Sequence, residues 1–307
     1  MRGTLVLVLA IALDVVLGDP PNRMHPVAWI GAALARGRRA LCAGGPGRLL
    51  LAGATLTLLC ATAAAVVAAG LVVAAGQLGA AGVLVEALAL GTMLSPGGLA
   101  RAARRVAAPL GRGEVAAARA AVALHLVSRP TATLEPGQVA SAAVESVAEN
   151  LTDAFVAPAM FYLALGLPGA VAYRVVNTAD AMIGYREGCL EWFGKAAARL
   201  DDVLNFVPAR IAAVCLVAAA GLGGAAPGGA WRVMRRDAAR TASPNAGWTM
   251  AAMAGALGVQ LEKPGAYRLG DGARPAVGDI ERSVRLMAIA AAICTLAVGL
   301  AGICFGK

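Results

Sequence analysis

Long apolar runs separated by compact polar stretches dominate the chain. Leu49–Ala75, Val203–Ala226 and Val284–Phe305 are each long enough for a bilayer-spanning helix, which needs about 20 apolar residues to cover roughly 30 Å of hydrocarbon. Leu78–Leu94 is a shorter run and Thr4–Leu17 a marginal one. All are rich in Ala, Leu, Val and Gly, and small residues let helices approach closely within a membrane. The pattern predicts an all-α fold, a polytopic membrane helix bundle with amphipathic cytoplasmic helices and loops. Residues 1–307 are expected to form a single integral membrane domain, with 95–205 a largely cytoplasmic helical insertion carrying most polar motifs. Thr4–Leu17 follows Arg2 as a secretory signal would, but Gly18-Asp19-Pro20-Pro21 offers no small-x-small cleavage site, so a retained helix is expected.

Composition sharpens this picture. With 59% hydrophobic and 15% charged residues over 307 positions, and a mean hydropathy of +0.71, there is more apolar surface than a soluble core would bury. The formal net charge of +9 comes almost entirely from arginine, and no basic segment is interleaved with aromatics, which argues against nucleic-acid binding. The arginines serve instead as topology markers, because Lys and Arg concentrate in cytoplasmic loops. Arg36, Arg38, Arg39 and Arg48 precede the Leu49–Ala75 run, and Arg101, Arg104, Arg105, Arg112 and Arg119 follow Leu78–Leu94. Both sides are then cytoplasmic, joined by a hairpin at Gly76–Gly79. The rule runs out later: a single crossing by Val203–Ala226 would leave Arg232, Arg235, Arg236 and Arg240 outside, so either Asn150–Val176 also spans or a late segment is re-entrant. The six cysteines show no C-x-x-C pairing and mostly lie in apolar runs, so they are read as small buried hydrophobes with no disulfide or zinc framework indicated.

Four polar stretches exceed what a membrane scaffold needs. In the first, Asp14 to Val27, a helix is stopped by Gly and Pro, and Asp19 stands near His25, which as a turn would simply be a capped loop. His125, on an amphipathic helix over Glu114–Val127, reads as structural. In the second, Glu145, Glu149 and Asp153 recur every four residues around Asn150 and would share one helix face with no interspersed Lys or Arg. That face is either solvated or a cation site. In the third, Asn177 and Asp180, and Asp201 and Asn205, lie one helical turn apart, with Tyr185, Asp202 and Arg210 nearby. Hard oxygen ligands at such spacing suit Mg²⁺ and phosphate, although the paired acids could equally cap the next helix. In the fourth, Ser243-Pro244-Asn245 is a helix-start signal beside Arg236 and Arg240, a combination suited to an anion.

Nucleotide signatures are absent. Gly188 to Ala196 is only superficially like a P-loop, with five residues between its glycines and Ala196 where Ser or Thr would hold Mg²⁺.

Taken together and in order, Asp14…Gly18-Asp19-Pro20…His25-Pro26-Val27, Glu145-Ser-Val-Ala-Glu149-Asn150…Asp153…Ala157-Pro158, Asn177-Thr178…Asp180…Gly184-Tyr185, Asp201-Asp202-Val-Leu-Asn205…Pro208-Ala-Arg210 and Ser243-Pro244-Asn245-Ala-Gly247 resemble the adenosylcobinamide-phosphate synthase family of cobalamin biosynthesis (the CobD/CbiB family). The resemblance covers nearly the whole chain, with Tyr267–Val277 following the pattern only loosely. It implies an ATP- and Mg²⁺-dependent ligase that joins aminopropanol or its phosphate to a corrinoid carboxylate, at a site on the cytoplasmic face of the cell membrane. On that reading His25, Asp19, Glu149 and Asp153 are the catalytic candidates. Asn150, Asn177, Tyr185, Asn205, Arg210, Arg236, Arg240, Ser243 and Asn245 are candidates for substrate or nucleotide binding, and Glu145, Glu149, Asp153, Asp180, Asp201 and Asp202 for metal. A membrane transporter or a non-catalytic sensor or scaffold is the alternative, although no internal repeat of the kind transporters carry is visible.

Overall fold

The computed structural model describes Arg2–Cys304, with side chains described as far as Ala297. In chain order the helices are α1 (Arg2–Leu17), α2 (Pro26–Leu41), α3 (Pro46–Gly76), α4 (Ala80–Gly91), α5 (Pro96–Gly111), α6 (Val115–His125) and α7 (Pro136–Leu151). After a π-helical turn, Thr152–Val156, come α8 (Ala157–Ile183), α9 (Leu190–Phe193), α10 (Lys195–Leu204), α11 (Phe206–Leu222), α12 (Pro227–Asp237) and α13 (Ala246–Leu257). A short antiparallel hairpin, β1 (Leu261–Lys263) and β2 (Tyr267–Leu269), precedes α14 (Val277–Cys304). The all-α expectation therefore holds, and the last residues of the expected run Val284–Phe305 fall outside the described ones.

Three helical runs, Pro46–Gly76, Ala80–Gly111 and Pro136–Ile183, are long and apolar enough to cross a membrane among the described residues, or four if the bent pair α10–α11 is one span. For Pro46–Gly76 only 17% of the apolar window is buried within the protein, and Leu51, Leu59, Val67 and Val73 project outward. Nothing among the described residues covers them, and such an apolar helix surface suits a lipid surrounding.

The chain divides into two compact units. Met1–Ser95 with Ala157–Asn205 form one. Its core has two patches: Val6, Leu7 and Ala10 of α1 against Leu90 of α4 and Tyr162 of α8, and Leu34 of α2 against Leu49, Ile183 and Phe193. Within it α8 is broken at Gly166, whose φ of +71° is readily reached only without a Cβ, and Pro168 opens the second half. One buried carboxylate joins three helices here: Glu86 of α4 accepts from the Tyr162 hydroxyl of α8 at 2.8 Å and pairs with Arg2 of α1 at 3.2 Å.

Cys42, at the end of α2, and Cys189, just before α9, form a disulfide with a Cα separation of 6.2 Å. This corrects the reading of those two as unpaired hydrophobes. Because 147 residues separate them, the pairing follows from the packing of both α2 and α9 against α3 and leaves no trace in local spacing. Cys60, Cys215 and Cys294 keep free thiols.

Pro96–Val156 with Phe206–Ala297 form the second unit. Its centre is α13, buried continuously from Thr249 to Leu257, and α7, buried from Val139 to Ala148. The α12–α13 contact is close because both sides are glycine: a Cβ on Gly255 would lie 2.3 Å from the Gly229 carbonyl.

The Glu86 junction yields a stability prediction. Glu86→Leu should lower stability in detergent by about 1–3 kcal/mol, since the Tyr162 hydroxyl loses its acceptor in an apolar setting. Adding Tyr162→Phe should restore part of the loss, because two apolar partners need no hydrogen bond. A double variant as unstable as the sum of the singles would contradict it.

Candidate functional site

The polar stretches form separate constellations within the two units. In the first unit, His25 is the N-cap of α2: its Nδ1 accepts the Val27 N–H at 3.2 Å, and Pro26 occupies the first helical position, where a missing N–H costs nothing. The other ring nitrogen, Nε2, lies 3.6 Å from the Asp19 carboxylate. Asp19 also accepts from the Ser95 hydroxyl at 3.2 Å, and its side chain is 35% exposed. With Nδ1 committed as an acceptor, the neutral ring carries its proton on Nε2, facing Asp19. In this tautomer the imidazole can orient the Asp19 carboxylate. A cleft of about 410 Å³, lined by Asp14, Gly18, Asp19, Pro20 and Thr92, opens beside the pair.

The third stretch gathers around Asp201. The Asn177 amide donates to Asp201 Oδ1 at 3.2 Å and the Asn205 amide to Oδ2 at 3.0 Å, while Tyr173 donates to Asn205 Oδ1 at 2.9 Å. Asp201, Asn205 and Tyr173 are all buried. Both Asp201 oxygens therefore hold amide N–H donors inside the unit. Asp202 is turned toward Arg199 at 3.9 Å, and Tyr185 lies exposed beyond the end of α8.

In the second unit Glu145 is buried yet surrounded by donors. Ser141 Oγ donates to it at 2.6 Å, Tyr267 Oη at 2.8 Å, and Arg129 lies at 3.7 Å, with Lys263 acting on it through space. The acidic face that looked bare of counter-charge along α7 thus receives it from a loop and from β1. No i, i+4 count could show this, because the partners are far away in sequence. The Tyr267 hydroxyl is pushed above its usual value by burial and by the Glu145 charge. Asp153 falls in the π-helical turn, whose extra residue moves it off the strict four-residue repeat shared by Glu145 and Glu149. Asn150 donates its amide to the Ser146 carbonyl at 2.9 Å.

The fourth stretch folds around a residue that the sequence reading left out of the site, Asp237. Its fully buried carboxylate takes Arg236 at 2.7 Å, Arg240 at 3.2 Å and the Gly270 N–H at 2.9 Å, and Arg236 reaches on to Asp271 at 2.7 Å. Burial raises the Asp237 pKa, but the hydrogen bonds from Arg236 and Gly270 and the Arg240 charge outweigh it, leaving the carboxyl below its usual value. The Ser243-Pro244-Asn245 turn largely satisfies itself. Ser243 Oγ accepts the N–H groups of Asn245 and Ala246 at 3.2 and 3.3 Å, and Arg210 donates to Asn245 at 2.8 Å while stacking on Phe206 and Trp248. The helix N–H groups expected to wait for an anion are thus partly used by Ser243, and Arg236 and Arg240 are anchored on Asp237.

Among the described residues no three His, Cys, Asp or Glu side chains gather as a metal cage. The carboxylate and amide oxygens present are nevertheless the hard donors that Mg²⁺ accepts, and Mg²⁺ on a phosphate needs only one or two of them.

The sequence pattern of the CobD/Cbib protein family matches residues 7–296. The chain belongs to that family. Relatives include "Cobalamin biosynthesis protein CobD" of Dehalococcoides mccartyi (strain CBDB1), 44% identical over 90% of this chain and 89% of the relative. "Probable cobalamin biosynthesis protein CobD" of Methanothermobacter thermautotrophicus is 42% identical over 88% of each chain. "Cobalamin biosynthesis protein CbiB" of Salmonella typhimurium (strain LT2) is 37% identical over 95% and 94%. No solved structure matches. As a member of the CobD/Cbib family, the chain has motif stretches that lie inside the matched region, Tyr267–Val277 included. There Gly270 and Asp271 close the Asp237 network, and Tyr267 caps Glu145. Sequence reading passed over both because each partner lies at least 33 residues away.

Two measurements check these assignments. His25→Ala should cost about 1 kcal/mol through the lost N-cap, whereas His25→Asn, whose side chain can cap in the same way, should fold as stably as wild type. Equal destabilisation by both would remove the capping role. Asp237→Asn should cost about 2–3 kcal/mol at pH 7. Because the folded pKa lies below the unfolded one, this stabilisation is complete above about pH 5 and is lost as pH falls through the folded value. Denaturation curves at pH 7 and pH 3 should therefore show the variant losing less on acidification than wild type, and an equal loss would contradict the assignment.

Proposed function

We propose that this chain catalyses amide ligation in cobalamin biosynthesis, joining aminopropanol or aminopropanol phosphate to the side-chain carboxylate of adenosylcobyric acid to give adenosylcobinamide or its phosphate. The observation that carries the reading is the family match over residues 7–296, with relatives named as cobalamin biosynthesis proteins aligned along nearly their whole length.

An amide does not form from a free carboxylate without activation, so the corrinoid carboxylate is taken to be phosphorylated by ATP. The incoming amine then attacks the acyl carbon, phosphate leaves, and the amine loses a proton. We assign acceptance of that proton to Asp19, a third exposed and held by Ser95 and His25, with His25 orienting it. Glu149 and Asp153 in one unit, and Asp180 and Asp202 in the other, are the carboxylates that would hold Mg²⁺, which when bound neutralises phosphate charge during transfer. Glu145 and Asp201 offer further carboxylates, each already accepting hydrogen bonds on both oxygens.

The test is product formation by purified protein in sealed vesicles given adenosylcobyric acid, ATP-Mg²⁺ and either amine, followed by mass spectrometry. Corrinoid amide should appear when substrates are supplied at the cytoplasmic face, and Glu149→Gln or Asp153→Asn should reduce turnover at least 100-fold with insertion intact (about 2.7 kcal/mol of barrier). Wild-type protein that forms no amide with either amine would refute the reading.

A further inference from the structure

In the second unit the β1–β2 hairpin walls a cleft of about 500 Å³ lined by Arg240, Glu262, Lys263, Tyr267 and Arg268. Three of these are cations and one is a carboxylate, and the carboxylate is itself neutralised. Glu262 is buried and accepts from Arg268 at 3.1 Å and from Arg274 at 3.0 Å. Net positive charge therefore faces the opening.

The cations come from separate pieces of chain. Arg240 ends the short turn after α12, Lys263 ends β1, and Arg268 lies in β2. Lys263 pairs across the hairpin with Tyr267, whose ring lines the same cleft and whose hydroxyl is fixed on Glu145. Gly265, with a φ of +75°, makes the tight turn that brings the two strands together. Two of the cations are held by buried carboxylates: Arg240 by Asp237 at 3.2 Å and Arg268 by Glu262, which itself lines the cleft. Their side chains nevertheless stay 52% and 65% exposed. A guanidinium anchored at one edge by a buried carboxylate keeps further N–H donors for a ligand and loses little freedom on binding. A single carboxylate would be satisfied by one such fork. Three cationic groups converging from different segments suit a ligand with several anionic oxygens in different directions.

We propose that this hairpin cleft is the seat of a substrate phosphate, with Lys263, Arg268 and Arg240 as its ligands. At the Ser243-Pro244-Asn245 turn the helix N–H groups are partly used by Ser243 Oγ, whereas the cations of this cleft face its opening. Naming the ligand as a substrate of ligation rests on the function proposed above, whereas phosphate binding by the cleft does not. The phosphate belongs either to the polyphosphate chain of ATP or to the phosphomonoester of aminopropanol phosphate.

The experiment is equilibrium binding to the purified full chain in detergent, using inorganic tripolyphosphate, ATP-Mg²⁺ and aminopropanol phosphate as probes, with adenosine as the phosphate-free control. Lys263→Gln should weaken at least one phosphate probe by about 10- to 150-fold, the range for losing one charge-assisted hydrogen bond. Lys263→Gln/Arg268→Gln should weaken it further, with adenosine unaffected and wild-type affinity falling as salt rises. Loss confined to tripolyphosphate and ATP identifies the nucleotide as the source, and loss confined to aminopropanol phosphate identifies the amine. Lys263 lies at a strand end on the surface, so its variant keeps the test valid should the Arg268 variant unfold. Wild-type protein that binds none of the phosphate probes, or a Lys263→Gln protein that binds all of them with unchanged affinity, overturns the proposal. The amide-product assay is read separately: phosphate binding without product refutes the ligation reading and leaves the cleft standing, and product with unaltered phosphate binding in the variants does the reverse.

Discussion

Hydrocarbon offers no hydrogen bonds, and that single property of the solvent organises this chain. Backbone groups must be satisfied inside helices, and each polar side chain drawn into an apolar run must find its partner on the protein. Glu86 meets Tyr162 and Arg2; Asp201 meets Asn177 and Asn205, with Tyr173 behind; Thr57 returns its hydroxyl to the Gly53 carbonyl one turn back. The Glu86 contacts with Tyr162 and Arg2, and those of Asn177 with Asp201 and of Tyr173 with Asn205, tie helices that are far apart in sequence, which makes them structural joints as well as means of avoiding buried, unsatisfied polarity.

The same constraint changes what a motif residue can be asked to do. Asp201 and Glu145 have the carboxylates that a metal site would use, and each of their oxygens already accepts a hydrogen bond from a neighbouring amide or hydroxyl. His25 has the imidazole that a general base would use, yet it caps α2 with one nitrogen and faces Asp19 with the other. In each case the polar stretch has a structural duty that competes with the chemical one. Asp14 and Asp19 line a cleft in one unit, and Lys263, Arg268 and Arg240 line one in the other, with Glu262 among them. Arg240 shows the pattern of an exposed charge supported by a buried one, Asp237.

Run length and composition determined the membrane class and the all-α fold, because hydrophobic length against bilayer thickness is a local property that any window reports. Helices begin near Thr4, Leu49 and Leu78 as expected, whereas the run expected from Val203 is split at Asn205, where α10 ends and α11 follows at a bend of 47°; the starts signalled by His25-Pro26 and Ser243-Pro244-Asn245 are present. The polar stretches were also legible as stretches, and their order carried the family resemblance that the match over residues 7–296 shows. Tertiary structure alone decided who faces whom. Arg129 and Tyr267 supply what the Glu145 face lacked, Gly270 and Asp271 complete Asp237, and Cys42 meets Cys189 across 147 residues. The physical reason is one of range: helix periodicity is written within a turn or two, whereas the charge a buried group experiences depends on side chains that folding brings to within about 4 Å from anywhere in the chain.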